Sequence, residues 1–284
     1  MLKKRFKISI IGLGLMGGSF AYALRDFNNC EITGFDINEE TMKKALSANA
    51  ADKLAGNVKE AVCDAELVIF CTPPHNIVKD ITENIKHFKN NSVVTEICGV
   101  KREIYSKIIP ILPENIDFVG IHPMAGKEVG GFANSDKSIF QGAGFVIVSH
   151  EKCKSASVNL LEDISSYVGA GRICVNNAEE HDNIIAYTSD LMHISAAALC
   201  KSYPQNMTLT HTAGAFRDCT RIADIDAELW TELCLNNSGN ILPYLQKYID
   251  NLTEFRTALE SGDEKFINKF LADASENKKG IKKL

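Results

Sequence analysis

Six residues, Gly12 to Gly17 (G-L-G-L-M-G), constrain the fold of this chain more than any other segment. They follow an apolar run, Lys7 to Gly12, that reads as a buried strand. They open a stretch reaching Asp26 in which Phe20, Ala21, Ala23 and Leu24 are the apolar helix residues. A G-x-G-x-x-G pattern between a strand and a helix has a specific physical meaning. Gly12 permits the tight turn, Gly14 lets the backbone approach a ligand, and Gly17 lets the helix pack closely on the strand. The helix start, including the backbone of Leu15 and Met16, presents free N–H groups that suit a pyrophosphate. The next strand, Glu31 to Asp36 (E-I-T-G-F-D), ends in an acid 19 residues after Gly17. A carboxylate there accepts hydrogen bonds from adenosine ribose hydroxyls and repels a 2′-phosphate. Ile37, Asn38 and Glu39 follow it, with no arginine to receive such a phosphate. The pattern predicts a dinucleotide-binding domain that prefers NAD to NADP. Thr72 and Pro73 close a third apolar strand on the ligand edge of the sheet and join the expected cofactor contacts.

Short β-branched runs continue at Leu67–Pro73, Ser92–Cys98, Asp117–Pro123 and Gly144–Ser149, separated by helix-length segments such as Glu39–Asn49. That alternation indicates a parallel sheet covered on both faces, wound by right-handed crossovers. The character changes near Asn176. Ile184, Ile185, Leu191 and Met192 lead into Ser195–Leu199 and fit one long, mostly buried helix. Glu228–Leu235, Asn240–Tyr248 and Leu252–Glu260 read as further helices, and the end E-N-K-K-G-I-K-K-L as a frayed basic tail. The expected class is α/β: a Rossmann-type doubly wound parallel sheet over residues 1–176, followed by an all-helical domain over 177–284. A length of 284 residues agrees with about two domains.

Composition excludes several alternatives. A net charge of −5 argues against a general nucleic-acid binder. No apolar run approaches the roughly 20 residues that span a bilayer, and the apolar run after the basic start leads straight into the glycine turn rather than a cleavage site. The nine cysteines form no C-x-x-C pair and fall in apolar or helical stretches, so they read as buried thiols in a reducing cytoplasm, with no metal site expected.

Beyond the cofactor turn, three segments carry more specific information. They are H-P-M-A-G-K-E (His122–Glu128) followed by Gly131 and Phe132, E-E-H-D (Glu179–Asp182) running into a helix with His193, and A-G-A-F-R-D-C-T-R-I-A (Ala213–Ala223) followed by Leu229 and Trp230. In this order the chain resembles the prephenate and arogenate dehydrogenases of tyrosine biosynthesis, from Lys7 to about Asn240. The resemblance implies oxidative decarboxylation of a cyclohexadienyl acid. The expected reaction takes prephenate to 4-hydroxyphenylpyruvate with hydride transfer to NAD, and arogenate is the alternative substrate. It also implies a homodimer formed by the helical part, with the active site in the cleft between domains.

His122 stands at the end of its strand, and an imidazole can accept a carbinol proton near neutral pH. The resemblance makes it the catalytic base. Arg221 is placed on the substrate side-chain carboxylate, which a guanidinium binds with two parallel hydrogen bonds; Arg217 is its nearest rival. Asp218, Trp230 and His193 fall near the pocket, and Glu128 is an acid expected to gate it. His181 reads equally as a pocket residue or as a helix-start residue, and His75 as a solvated loop residue.

Two positions depart from the family pattern. C-G-V-K (Cys98–Lys101) places Gly99 where many members carry a serine that assists the histidine, so water or Cys98 would have to substitute. S-D-L-M-H places Asp190 where many carry the first histidine of a pair. An anion there would favour arogenate, whose side chain carries an ammonium, over prephenate, whose side chain carries a ketone. Two rival readings remain. A β-hydroxyacid-type dehydrogenase would need a well-placed helix lysine, and a dinucleotide sensor would bind NAD without turning over a cyclohexadiene.

Overall fold

The computed structural model describes residues 5–127 and 129–281, with the side chain of Leu209 left aside. The chain divides into two compact units, Met1–Asn237 and Ser238–Leu284.

The first unit is organised by six parallel strands: β1 (Lys7–Ile11), β2 (Glu31–Phe35), β3 (Lys53–Leu54), β4 (Leu67–Phe70), β5 (Val93–Glu96) and β6 (Asp117–Phe118). Their order is β3-β2-β1-β4-β5-β6. Every residue of β4 and β5 is buried, as expected for strands covered on both faces. The crossovers carry α1 (Leu15–Ala23), α2 (Glu39–Ser47), α3 (Val58–Val62), α4 (Pro74–Asn84) and α5 (Arg102–Ile108). On one side Phe20, Phe140 and Phe145 pack together; on the other Phe70, Phe88, Tyr105 and Phe118 do. Each such fully buried ring contributes on the order of 2 kcal/mol. The strand order reverses between β1 and β4, so the loops after these two parallel strands diverge to opposite faces and leave a crevice, and open α/β sheets bind ligands at that point.

The expected fifth strand is broken in two. Asp117 and Phe118 stay in the parallel sheet, and the Val119 amide still donates to the Val94 carbonyl. The chain then bends at Gly120, where a Cβ would collide with Glu96 and the Tyr105 hydroxyl, at 2.4 and 2.9 Å. The next strand, β7 (Gly120–Pro123), pairs antiparallel with β8 (Gly144–Val148), which pairs parallel with β9 (Arg172–Asn176). His122 and the Gly144–Ser149 run therefore belong to a second, three-stranded sheet and not to the parallel one. The sequence reading also passed over β3 and β9. The first has two residues, and the second has polar ends and a mixture of exposed and half-buried residues that marks no buried strand.

Helix α6 (Ser155–Tyr167) precedes β9, and the helical region begins at α7 (Ala178–Ile185). Asn177 and Glu180 close its start as a reciprocal capping box. A π-helical turn over Ala186–Asp190 joins α7 to α8 (Leu191–Lys201), so the long apolar run is helical throughout but widened at its middle. Such π-turns concentrate at functional sites. Helices α9 (Gly214–Thr220) and α10 (Ala227–Asn236) complete the unit.

The second unit consists of α11 (Ser238–Ser261) and α12 (Glu264–Ile281). Phe255 and Phe270 pack at 5.2 Å between ring centres, and Ala258 is buried, while Leu252, Leu259 and Leu271 stay exposed. Where the sequence suggested two helices there is one, because Pro243 sits near its start and does not break it. The supposed frayed tail is helical as far as Ile281, and residues 282–284 lie outside the described ones. Among the described residues no helix is long and apolar enough to cross a membrane.

Candidate active site

The glycine turn forms the floor of a cofactor cradle. Gly12 adopts φ +87°, and a Cβ on it would meet Thr72 Cγ2 at 2.8 Å and the Cys71 carbonyl oxygen at 2.9 Å. A Cβ on Gly17 would stand 1.8 Å from the Gly12 carbonyl oxygen, so only glycine lets α1 pack this close to β1. Gly14 is different: nothing lies within 4 Å of its Cβ position, so its face is open to a ligand. Gly14 also caps α1 without a side chain, which leaves the amides of the first turn, at Leu15 and Met16, for an anion. Asp36 is held at the end of β2 by the Leu13 and Asn38 amides, at 2.8 and 2.9 Å. Each of its oxygens keeps a lone pair for a ribose hydroxyl. Thr72 Oγ1 is buried without a hydrogen-bond partner beside this turn, and Pro73 is the N-cap of α4. An open glycine face, free helix amides, an anchored carboxylate and an orphaned hydroxyl fit an NAD molecule. Bound there, the nicotinamide supplies a hydride acceptor.

A cleft of about 700 Å³ continues from this turn. Leu15 of the turn lines it together with Gly99, His122, Asp190, His193, Arg221 and Trp230. Of the site residues named from the sequence, Leu15, His122, Asp190, His193, Arg221 and Trp230 are brought together here from separate segments.

His122 is the best-defined group in the cleft. Its Nδ1 lies 2.8 Å from His181 Nε2, and His181 Nδ1 lies 2.7 Å from Asp182 Oδ1. Asp182 receives the Lys101 amide on Oδ1 at 2.9 Å and the Arg102 amide on Oδ2 at 2.8 Å. Burial, with His181 and the Lys101 charge adding to it, pushes His122 well below the ordinary histidine range. Burial also lowers His181, against the opposing bond to Asp182. Both imidazoles are therefore neutral at pH 7. Behind them, the fully buried Lys101 ammonium bonds Glu96 at 2.5 Å and the Ile121 carbonyl at 2.8 Å. Glu96 in turn accepts from the Cys98 amide at 2.7 Å. This buried ion pair ties the end of β5 to the residue before His122. Removing one partner of such a pair costs about 3–5 kcal/mol.

On the cleft side of His122 stands Gly99, whose Cβ would lie 3.9 Å from Nε2. Cys98 does not take the missing serine's place. It is buried, is not among the cleft-lining residues, and burial beside Glu96 pushes its thiol up to about 12.

On the facing wall the His193 ring lies 3.8 Å from that of Trp230, and its Nδ1 bonds the Ser189 carbonyl at 3.0 Å. Asp190, 2% exposed, accepts a hydrogen bond from Asn237 Nδ2 at 2.8 Å. Among the described residues no lysine or arginine stands within 4.0 Å of its carboxylate, and burial raises its pKa to about 6. Asp218 is exposed on α9 and does not line the cleft, where Asp224 and Asp226 do. Glu128 lies outside the described residues. His75 is not a free loop residue: it sits in the first turn of α4 and pairs with Glu232 at 2.7 Å.

Sequence reasoning missed the link from His181 and Asp182 to His122, the buried Glu96–Lys101 pair, and Asn237. The E-E-H-D segment was noticed, but a separation of 59 residues between the two histidines leaves no local signal of their contact.

A glycine-turn dinucleotide cradle opening into a cleft with a neutral histidine defines a nucleotide-dependent oxidoreductase. Comparisons with known proteins narrow the class. The family described as "Prephenate dehydrogenase, nucleotide-binding domain" matches residues 20–174, and "Prephenate dehydrogenase, dimerization domain" matches 177–273. The chain belongs to the prephenate dehydrogenase family. It is 28% identical over 282 residues to the prephenate dehydrogenase of Bacillus subtilis, covering 96% of this chain and 76% of that protein. It is 27% identical over 282 residues to the cyclohexadienyl dehydrogenase of Zymomonas mobilis, covering 97% and 96% of the two. The fold matches the crystal structure of prephenate dehydrogenase from Aquifex aeolicus in complex with hydroxyphenyl propionate and NAD+. The TM-score is 0.87 over 99% of this chain and 100% of that one, at 24% identity.

Proposed function

We propose that this chain is an NAD-dependent prephenate dehydrogenase that converts prephenate to 4-hydroxyphenylpyruvate by oxidative decarboxylation. The observation that carries the reading is the position of His122, neutral and held from behind, in a cleft that starts at the cofactor turn. His122 Nε2 would take the proton of the ring hydroxyl, and an NAD held by the glycine turn and Asp36 would supply the acceptor for the hydride on the same carbon. The electron pair of the bond to the departing carboxylate passes into the ring, which becomes aromatic, and carbon dioxide is released. Arg221 holds the side-chain carboxylate, and Trp230 with the His193 ring packed against it forms a wall beside the substrate ring. Asp36 selects NAD by refusing a 2′-phosphate. The functional boundary between nucleotide-binding and substrate-binding parts falls near residue 176, and the second part joins two copies into a homodimer in the cytoplasm.

Arogenate is the second reading, and one observation favours it. Asp190 is a buried carboxylate in the cleft wall with no cation paired to it among the described residues, and a substrate ammonium would supply one. The experiment is an assay of purified enzyme for NADH and carbon dioxide with each substrate in turn.

A further inference from the structure

We propose that His181 and Asp182 are positioning residues that fix the proton of His122 on Nδ1 and keep the Nε2 lone pair toward the cleft. The inference rests on the reading of His122 as the base and adds how its form is chosen.

The direction of every proton follows from one group. A carboxylate only accepts hydrogen bonds. Asp182 is anchored as an acceptor by two backbone amides, of Lys101 and Arg102, at 2.9 and 2.8 Å. The His181 Nδ1 atom 2.7 Å from Asp182 must therefore be the donor. His181 is neutral, so its Nε2 carries a lone pair. His122 Nδ1, 2.8 Å from that nitrogen, must then donate as well. His122 is also neutral, which leaves its Nε2 bare. The opposite tautomer would set two lone pairs against each other inside a buried contact.

Among the described residues the His122 ring makes its hydrogen bond through Nδ1, to His181. Gly99 carries no side chain, and its Cβ position is 3.9 Å from Nε2. The ring is thus held through Nδ1. The anchoring extends further, because the Asp182 carbonyl accepts from Asn237 Nδ2 at 2.9 Å and α7 is closed by its capping box. When His122 gains a proton on Nε2, its Nδ1–H already points at His181, and the Asp182 carboxylate stands behind the new cation.

The test reads the tautomer directly by long-range 15N–1H NMR of the histidine rings in the full-length protein at neutral pH. His122→Asn identifies the His122 signals. In the unmodified protein His122 should show a protonated Nδ1 and a bare Nε2. In His181→Leu, which removes the acceptor, His122 should shift toward the Nε2–H form. Its kcat should fall roughly 10- to 100-fold with KM nearly unchanged. In His181→Gln, whose amide oxygen can accept, the Nδ1–H form and most of kcat should return. A His122 found with its proton on Nε2 in the unmodified protein overturns the proposal, even if neither variant folds. So does a His181→Leu variant that keeps both tautomer and kcat. If instead His122→Asn turns over normally while the tautomer is as stated, the base reading fails and the positioning does not.

Discussion

A Cβ on Gly99 would stand 3.9 Å from Nε2 of His122, and the strand bearing that histidine is held from behind by Lys101, whose ammonium bonds the Ile121 carbonyl. Gly99 therefore sets no side chain against the reacting nitrogen, and the ring is held through Nδ1. Replacing the ring removes the acceptor without disturbing the buried pair beneath it. His122→Asn should lower kcat by about 10²- to 10⁴-fold, the usual worth of acid–base assistance. Steady-state turnover checks this, and near-normal kcat would take His122 out of the role.

The pH dependence follows from the burial of the same ring. A histidine accepts a proton only while neutral, and burial pushes His122 well below its ordinary 6.5. Lowering the pKa extends the neutral form to more acidic solution. The acid limb of kcat/KM should therefore lie below pH 6.5, measured over a range in which the enzyme stays folded. A limb at or above 6.5 would assign the titration to another group.

Arg221 lines the cleft, and as the proposed holder of the substrate side-chain carboxylate it would bind charge present in both ground and transition states. Arg221→Ala should therefore act mainly on KM, raising it roughly 10- to 100-fold, the loss expected from about 1.5–3 kcal/mol for a charged hydrogen bond. Initial rates over a wide substrate range distinguish this from a kcat effect. An unchanged KM would move the carboxylate to Arg217 or elsewhere.

The fold and the site differ in how far the sequence made them legible. Gly12, Gly14, Gly17 and Asp36 act within one strand–turn–helix–strand unit, so local spacing was enough to read them. His122 was read at the end of a parallel strand and stands instead in the three-stranded sheet. The chain leaves the parallel ladder at Gly120 because Glu96 and Tyr105 occupy the space a side chain would need, and these neighbours are distant in sequence. His181 was ambiguous for the same reason, since its partner is 59 residues away. Glu96 and Lys101 look like ordinary surface charges in a sequence, and only the fold shows them fully buried against each other.

Asp190 separates the two substrates. Burial raises it to about 6, and among the described residues no cation pairs with it, so an ammonium on the substrate would find an uncompensated carboxylate above that pH. Asp190→Asn keeps the shape and removes the charge. At pH 8 the ratio of kcat/KM for arogenate to that for prephenate should fall roughly 10-fold, a differential of about 1.4 kcal/mol. An unchanged ratio would mean that Asp190 serves only the bond to Asn237.

The central claim is that this cradle and cleft together oxidise and decarboxylate a cyclohexadienyl acid with NAD. The most direct measurement is a four-way assay, prephenate and arogenate each with NAD and with NADP, following reduced nucleotide and carbon dioxide. The account predicts equimolar formation of both products with NAD for at least one of the two acids, and rates at least roughly 10-fold lower with NADP because Asp36 faces the ribose. Binding of NAD without turnover of either acid would contradict it.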